Sequence, residues 1–224
     1  MRTSDWRWIS RRRAIFLSFI LVFSLITSCA LPVRQAYKVD QSLPLGTIQG
    51  DSFVGKRFPF TIRIPPGWQG STQYPEFLID QGYGRESLME TPFFLFNPQT
   101  KSSMQVDFSP AGRTARFSQE MIESLTRSGA GAMVAELRQE QGKDLPIQLS
   151  KAMPIQLKGV PYAARMSAEF TVKGEWQDQG WIYAFAEPFQ IFILYLITGE
   201  NRTADKAALE QALSSFEYLG TQQK

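Results

Sequence analysis

Ile191-Phe192-Ile193-Leu194-Tyr195-Leu196-Ile197 is an unbroken apolar run. Successive side chains of a strand point to opposite faces, so a run with no polar position predicts a strand covered on both sides and central in its sheet. Leu194 and Leu196 are expected to face one covering layer, and Ile193 and Tyr195 the other. Working outward, Phe189–Ile197 follows Trp181–Ala186 across Glu187-Pro188, and Tyr162–Val172 precedes both across Lys173-Gly174-Glu175. Ile147–Leu157 comes first, across Lys158-Gly159-Val160-Pro161. Connections this short join antiparallel neighbours, so the four segments predict a meander. Tyr162, Ala164, Met166, Ala168, Phe170 and Val172 alternate strictly and mark one face of their strand.

Two helices flank this meander in sequence. Ser118 is the expected N-cap of the first, with Glu120 in its positively polarised first turn and Met121, Ile122 and Leu125 as an apolar stripe. Gly129-Ala130-Gly131 predicts a kink or a second helix carrying Met133, Val134 and Leu137, and close packing against the sheet is the expected reason for the glycines. The other helix spans Thr203 to Phe216, capped by Thr203 or Asp205, with Leu209, Leu213 and Phe216 on one face. Upstream, Phe58, Phe60, Ile62 and Ile64 alternate with polar or turn residues until Pro65-Pro66-Gly67 stops the strand. Phe93–Phe96 and Met104–Phe108 flank Asn97-Pro98-Gln99-Thr100, a hairpin pattern. The fold class is α+β, a central antiparallel sheet with helices on both faces.

The N-terminal segment reads as a targeting signal. Arg11, Arg12 and Arg13 precede the apolar run Ala14–Ile26, which is shorter than the roughly 20 residues a membrane-spanning helix needs, and small residues lead to Cys29. The chain divides into a signal peptide over 1–28, a tether over 29–52, a domain over 53–220 and a tail over 221–224. An edge strand around Leu45–Ile48 is the alternative reading within the tether. Residues 1–28 hold five of the 24 basic and one of the 21 acidic residues, leaving 19 against 20 in the remainder. The basic balance belongs to the leader, and no cluster remains of the kind that displaces counterions from nucleic acid.

Two absences limit the chemistry. The chain has no histidine, which excludes Ser-His-Asp hydrolysis, histidine general acid-base work and His-ligated zinc. Cys29 is the only cysteine, so no disulfide or thiolate cluster can form within one chain. Neither G-x-S-x-G nor S-x-x-K occurs. No catalytic residue, metal site or cofactor is expected. Gly82-Tyr83-Gly84-Arg85-Glu86-Ser87 lacks the third glycine of a dinucleotide loop and reads as a surface loop. Aromatic and arginine side chains near turns are the expected partner-binding residues: Trp68, Tyr83, Arg85 and Trp176, the two tryptophans exposed beside turn glycines. Arg113 and Arg116 precede the Ser118 helix, where they could steer an anion.

Phe58-Pro59-Phe60-Thr61-Ile62-Arg63-Ile64-Pro65-Pro66-Gly67-Trp68, taken with Leu194-Tyr195-Leu196-Ile197 through Leu213-Ser214-Ser215-Phe216, resembles the PsbP-like and DcrB-like fold family over about residues 53–220. The resemblance implies an α/β/α sandwich around an antiparallel sheet and a non-catalytic binding or assembly role. Ile26-Thr27-Ser28-Cys29 resembles the lipobox of bacterial lipoproteins, which implies a lipidated Cys29 as the first mature residue. Ala30 in place of aspartate points, by resemblance to enteric sorting signals, to the outer membrane. The expected function is an envelope-anchored interaction module with a membrane anchor at Cys29 and an envelope protein as partner. A small-molecule or lipid-binding protein with a pocket lined by Phe170, Phe185 and Phe192 is the second reading, and a hydrolase using Asp, Glu or a Ser-Lys pair the third.

Overall fold

The computed structural model describes residues 37–77, 91–112 and 117–220. The leader, Cys29, the Gly82–Ser87 loop, Arg113 and Arg116 and the 221–224 tail lie outside the described residues. The meander forms as the alternation requires: β9 (Tyr162–Val172), β10 (Glu175–Ala186) and β11 (Phe189–Thr198) pair antiparallel along their length. Val172 pairs with Glu175 across Lys173 and Gly174, whose φ values of 52° and 84° are those of a two-residue primed turn, which matches the strand twist.

The predicted Phe93–Phe96 hairpin supplies β5 (Phe93–Phe96) and β6 (Ser103–Pro110), and β6 pairs with β11. With β4 (Gln69–Ser71) and β7 (Ile147–Leu149), the large sheet runs β4-β5-β6-β11-β10-β9-β7. The apolar strand β11 is therefore central. Ile193, Tyr195 and Ile197 are buried on one face, while Phe192 and Leu194 pack half-buried on the other.

The expected strand over Ile147–Leu157 is corrected to two pieces, β7 and β8 (Met153–Pro154), both paired with β9. Ile147 faces Phe170 and Leu149 faces Ala168, but Met153 faces Arg165 and Pro154 faces Ala164. The register slips by one residue between Ser150 and Met153, the mark of a bulge, and a one-residue slip sends side chains to the opposite face. Ile147 accordingly packs in one core and Ile155 in the other.

Helix α1 (Gln119–Gln141) covers β9 and β10. Ser118 caps it as expected, its hydroxyl accepting from the Met121 amide at 3.2 Å. The helix is continuous, which corrects the reading of two helices. Gly129 gives a packing reason, since a Cβ there would meet the Tyr183 ring at 3.3 Å, whereas a Cβ on Gly131 would meet nothing. Met121 is exposed, so the buried stripe is Ile122, Thr126 and Ala130, with Met133 and Leu137 continuing it half-buried. The Trp181 indole donates to the Thr126 carbonyl at 2.9 Å and ties the helix to β10.

The opposite face carries α2 (Arg202–Ser215) together with a second sheet, β1-β2-β3-β12. Its strands are β1 (Gly46–Gln49), β2 (Ser52–Gly55), β3 (Phe60–Arg63) and β12 (Glu217–Tyr218). β1 occupies the position of the alternative edge strand, inside the stretch read as tether. Asn201 occupies the N-cap position of α2 and makes no side-chain cap bond, which corrects the capping by Thr203 or Asp205. Phe53, Phe60, Phe93 and Phe216 meet in this larger core, Phe53 stacking on Phe93 at 4.3 Å. The layers are thus one helix, the large sheet, and a helix shared with a small sheet.

Candidate functional site

An open groove of about 1150 Å³ lies at one end of the large sheet, on its α1 face. The pleat decides its floor. Phe170, Gln177 and Thr198 stand in register across β9, β10 and β11, and Ala168, Gln179 and Leu196 form the next row. Met133, Glu136, Leu137 and Gln141 of α1 make one wall, the β5–β6 turn at Gln99, Thr100 and Lys101 the other, and the Lys173-Gly174-Glu175 turn closes the end.

The turn that forms the second wall is held by buried polar bonds. Asp205, 1% exposed in the first turn of α2, accepts from Asn97 Nδ2 at 3.0 Å and from Ser102 Oγ at 2.6 Å. Thr198 donates its amide to Ser102 Oγ at 3.1 Å and its hydroxyl to the Thr100 carbonyl at 2.6 Å. The two bonds to the Asp205 carboxylate are charge-assisted and so the strong ones, and with the neutral bonds of Thr198 they fix the wall before any ligand arrives. Lys101 itself has φ 65°, and its Nζ bonds the Pro98 carbonyl at 2.9 Å.

Across the sheet, beneath α2, lies a second polar cluster. Arg165 donates through Nε to the Tyr195 hydroxyl at 2.7 Å and pairs with Glu210 at 2.5 Å. Burial pushes the Tyr195 hydroxyl up to about 12. Asp178 is 2% exposed, and its Oδ1 has no hydrogen-bond partner among the described residues. Burial raises its pKa, against the attraction of Lys206. Asp107, opposite Phe192 on the α1 face, is raised to about 6 by burial, with a Thr91 hydrogen bond opposing. The two raised carboxyls face opposite sides of the sheet, since the register sets Asp107 with Phe192 and Asp178 with Ile197. They cannot divide acid and base roles over one substrate.

No protein-family model and no curated protein sequence matches the chain. Among solved structures, the cyanobacterial PsbP (CyanoP) of Synechocystis sp. PCC 6803 superposes with TM-score 0.53 at 13% identity, over 79% of this chain and 99% of that one. The fold is PsbP-like. LpqN of Mycobacterium tuberculosis, a protein involved in cell envelope biogenesis, gives TM-score 0.49 at 12% identity, over 82% of this chain and 90% of that one.

Within the PsbP-like domain the two tryptophans chosen for partner binding part company. Trp68 is 8% exposed and belongs to the larger core, which corrects its reading as an exposed anchor. Gly67, at φ 81°, turns the chain so that the indole enters the core at the start of β4. Trp176 is half-buried and borders the groove, but it alternates with Gln177, so its ring lies on the α2 face, where the Arg202 guanidinium sits 3.8 Å from the ring centroid and 3.2 Å from Glu169. Tyr83 and Arg85 lie outside the described residues. Phe170, Phe185 and Phe192 share the α1 face but not one pocket. Phe170 lies beneath the groove, Phe185 stacks on Phe117 at 4.2 Å, and Phe192 meets Tyr183 at 4.9 Å with the rings tilted. Gln177, Gln179 and the pinned turn escaped the sequence reading. Their one signal was the run Glu175, Gln177, Gln179, polar at alternate positions before the same face of β10 turns aromatic at Trp181, Tyr183 and Phe185.

Proposed function

We propose that this chain is a lipid-anchored, non-enzymatic interaction module of a bacterial cell envelope, holding a partner protein in the groove beside α1. The observation that carries the reading is the groove itself. The amides of Gln177 and Gln179 and the half-buried apolar side chains of Met133, Leu137 and Val172 line it, its wall is pinned by Asp205, and neither raised carboxyl lines it. The absence of histidine and of a free thiol once Cys29 is acylated agrees with a binding role. The PsbP-like fold is compatible with it. Cys29 supplies the membrane attachment and Ala30 the outer-membrane preference. A single acyl chain holds a protein only marginally, so a diacylglycerol with an added N-acyl chain is the stable arrangement.

The test uses the full-length tagged chain extracted from native envelopes in detergent. Cys29→Ser should abolish incorporation of labelled palmitate and move the chain out of the membrane fraction, because a hydroxyl cannot form the thioether. A specific polypeptide should co-purify with the wild-type chain. Palmitate retained by Cys29→Ser removes the anchor. Turnover in an esterase, phosphatase or glycosidase screen, with no co-purifying polypeptide, replaces the module by the hydrolase reading.

A further inference from the structure

We infer that the groove takes one extended, uncharged stretch of polypeptide, held along its backbone by Gln177 and Gln179. The inference rests on the interaction-module reading and names what the site recognises. Gln177 and Gln179 are alternate residues of β10, so both side chains rise from the floor on the same face. Their spacing along the strand is about 6.6 Å, which is also the repeat of an extended chain that presents the same backbone edge every second residue. Each side-chain amide offers donors and an acceptor, the pair that a peptide unit complements.

The rest of the floor decides against other occupants. Met133, Leu137 and Val172, all half-buried, line the groove around the glutamines, while Phe170 and Leu196 lie buried beneath them, so the accessible surface is part apolar and part amide. An acyl chain would cover the apolar part but strand both amides without partners, at the cost of burying unpaired polar groups. A saccharide would satisfy the amides but lay hydroxyls on Met133, Leu137 and Val172, and the Trp176 ring that could stack on it points to the α2 face beneath Arg202. An extended peptide meets both, its backbone on the glutamines and alternate side chains on the apolar patches. Two lysines, Lys101 and Lys173, against three glutamates, Glu136, Glu175 and Glu200, leave the rim one negative charge from balance, too little to select a strongly charged segment.

The experiment uses the full-length lipidated chain in nanodiscs and a phage-displayed library of random 12-residue peptides. Selection should enrich peptides with alternating apolar positions and few charges. Gln177→Leu combined with Gln179→Leu keeps size and removes the amides. It should weaken selected peptides by about tenfold or more, equivalent to about 1.4 kcal/mol, with an unchanged thermal melt. Saturable retention of a fluorescent fatty acid by the wild-type chain, weakened by competing fatty acid and not by selected peptides, overturns the inference. Enriched peptides that ignore the substitution overturn it too, as does failure to enrich any. A polypeptide that co-purifies from envelopes equally with wild-type and double-variant protein sinks this inference while leaving the interaction module standing.

Discussion

Gly180→Ala should destabilise the domain through a single collision. An alanine Cβ at this position would lie 1.8 Å from Cζ, 2.0 Å from the hydroxyl and 2.4 Å from Cε1 of Tyr195, its register partner on β11. Carbon atoms in contact sit about 3.5–4.0 Å apart, so the ring must move by roughly 1.5–2 Å. Tyr195 is 1% exposed, its hydroxyl accepts from Arg165, and the guanidinium lies 4.8 Å from its ring centroid, so the movement breaks that contact. Overpacking a core costs about 1–3 kcal/mol. A hydrogen bond to a charged group contributes about 1.5–3 kcal/mol more. Removing a strand glycine returns about 0.5–1 kcal/mol. The net loss is about 2–5 kcal/mol, set against a whole-domain stability of about 5–15 kcal/mol. Urea unfolding of the Gly180→Ala and Tyr195→Leu proteins and of their combination measures it. Leucine has no atoms where Cζ and the hydroxyl stood, so the double variant should be more stable than additivity predicts, by about 1 kcal/mol or more. Gly180→Ala within about 0.5 kcal/mol of the parent, the range of an ordinary surface change, would refute the packing argument.

Trp68→Ala should cost about 3–5 kcal/mol, as for other buried tryptophans, and lower the thermal midpoint; a parent-like melt would return Trp68 to the surface. Asp107 binds its proton more tightly when folded, because burial raises it from 3.8 to about 6. The folded state therefore holds more protons than the unfolded one in that window, and stability falls as pH rises through it. Asp107→Asn should remove the fall, and a stability profile that keeps it would assign the titration to another group.

The sequence revealed most where one period ran unbroken. Tyr162–Val172 and Ile191–Ile197 obey the pleat over many residues, so faces, pairing and the central place of β11 could be read directly. Short elements carried too little pattern. β1 and β2 are four residues each, and only Phe53 among them is fully buried, so Gly46–Gly55 looked like a linker. The bulge between Ser150 and Met153 left no signature, because a register slip is a property of two strands. Trp68 was misread because its turn glycine suggested solvent, whereas the left-handed Gly67 aims the indole inward. The groove was illegible for a different reason. Its walls come from α1, the β5–β6 turn and the β9–β10 turn, brought together by tertiary bonds such as those of Asp205.

A photo-crosslinking residue placed at Gln179 tests the interaction reading most directly, in cells that carry the full-length chain in its native envelope. The same residue at Gln211, exposed on α2 on the opposite side of the sheet, serves as the reference. A discrete protein adduct should form on irradiation from position 179 and not from position 211. Adducts of equal yield from both positions, or from neither, would contradict a partner held in the groove.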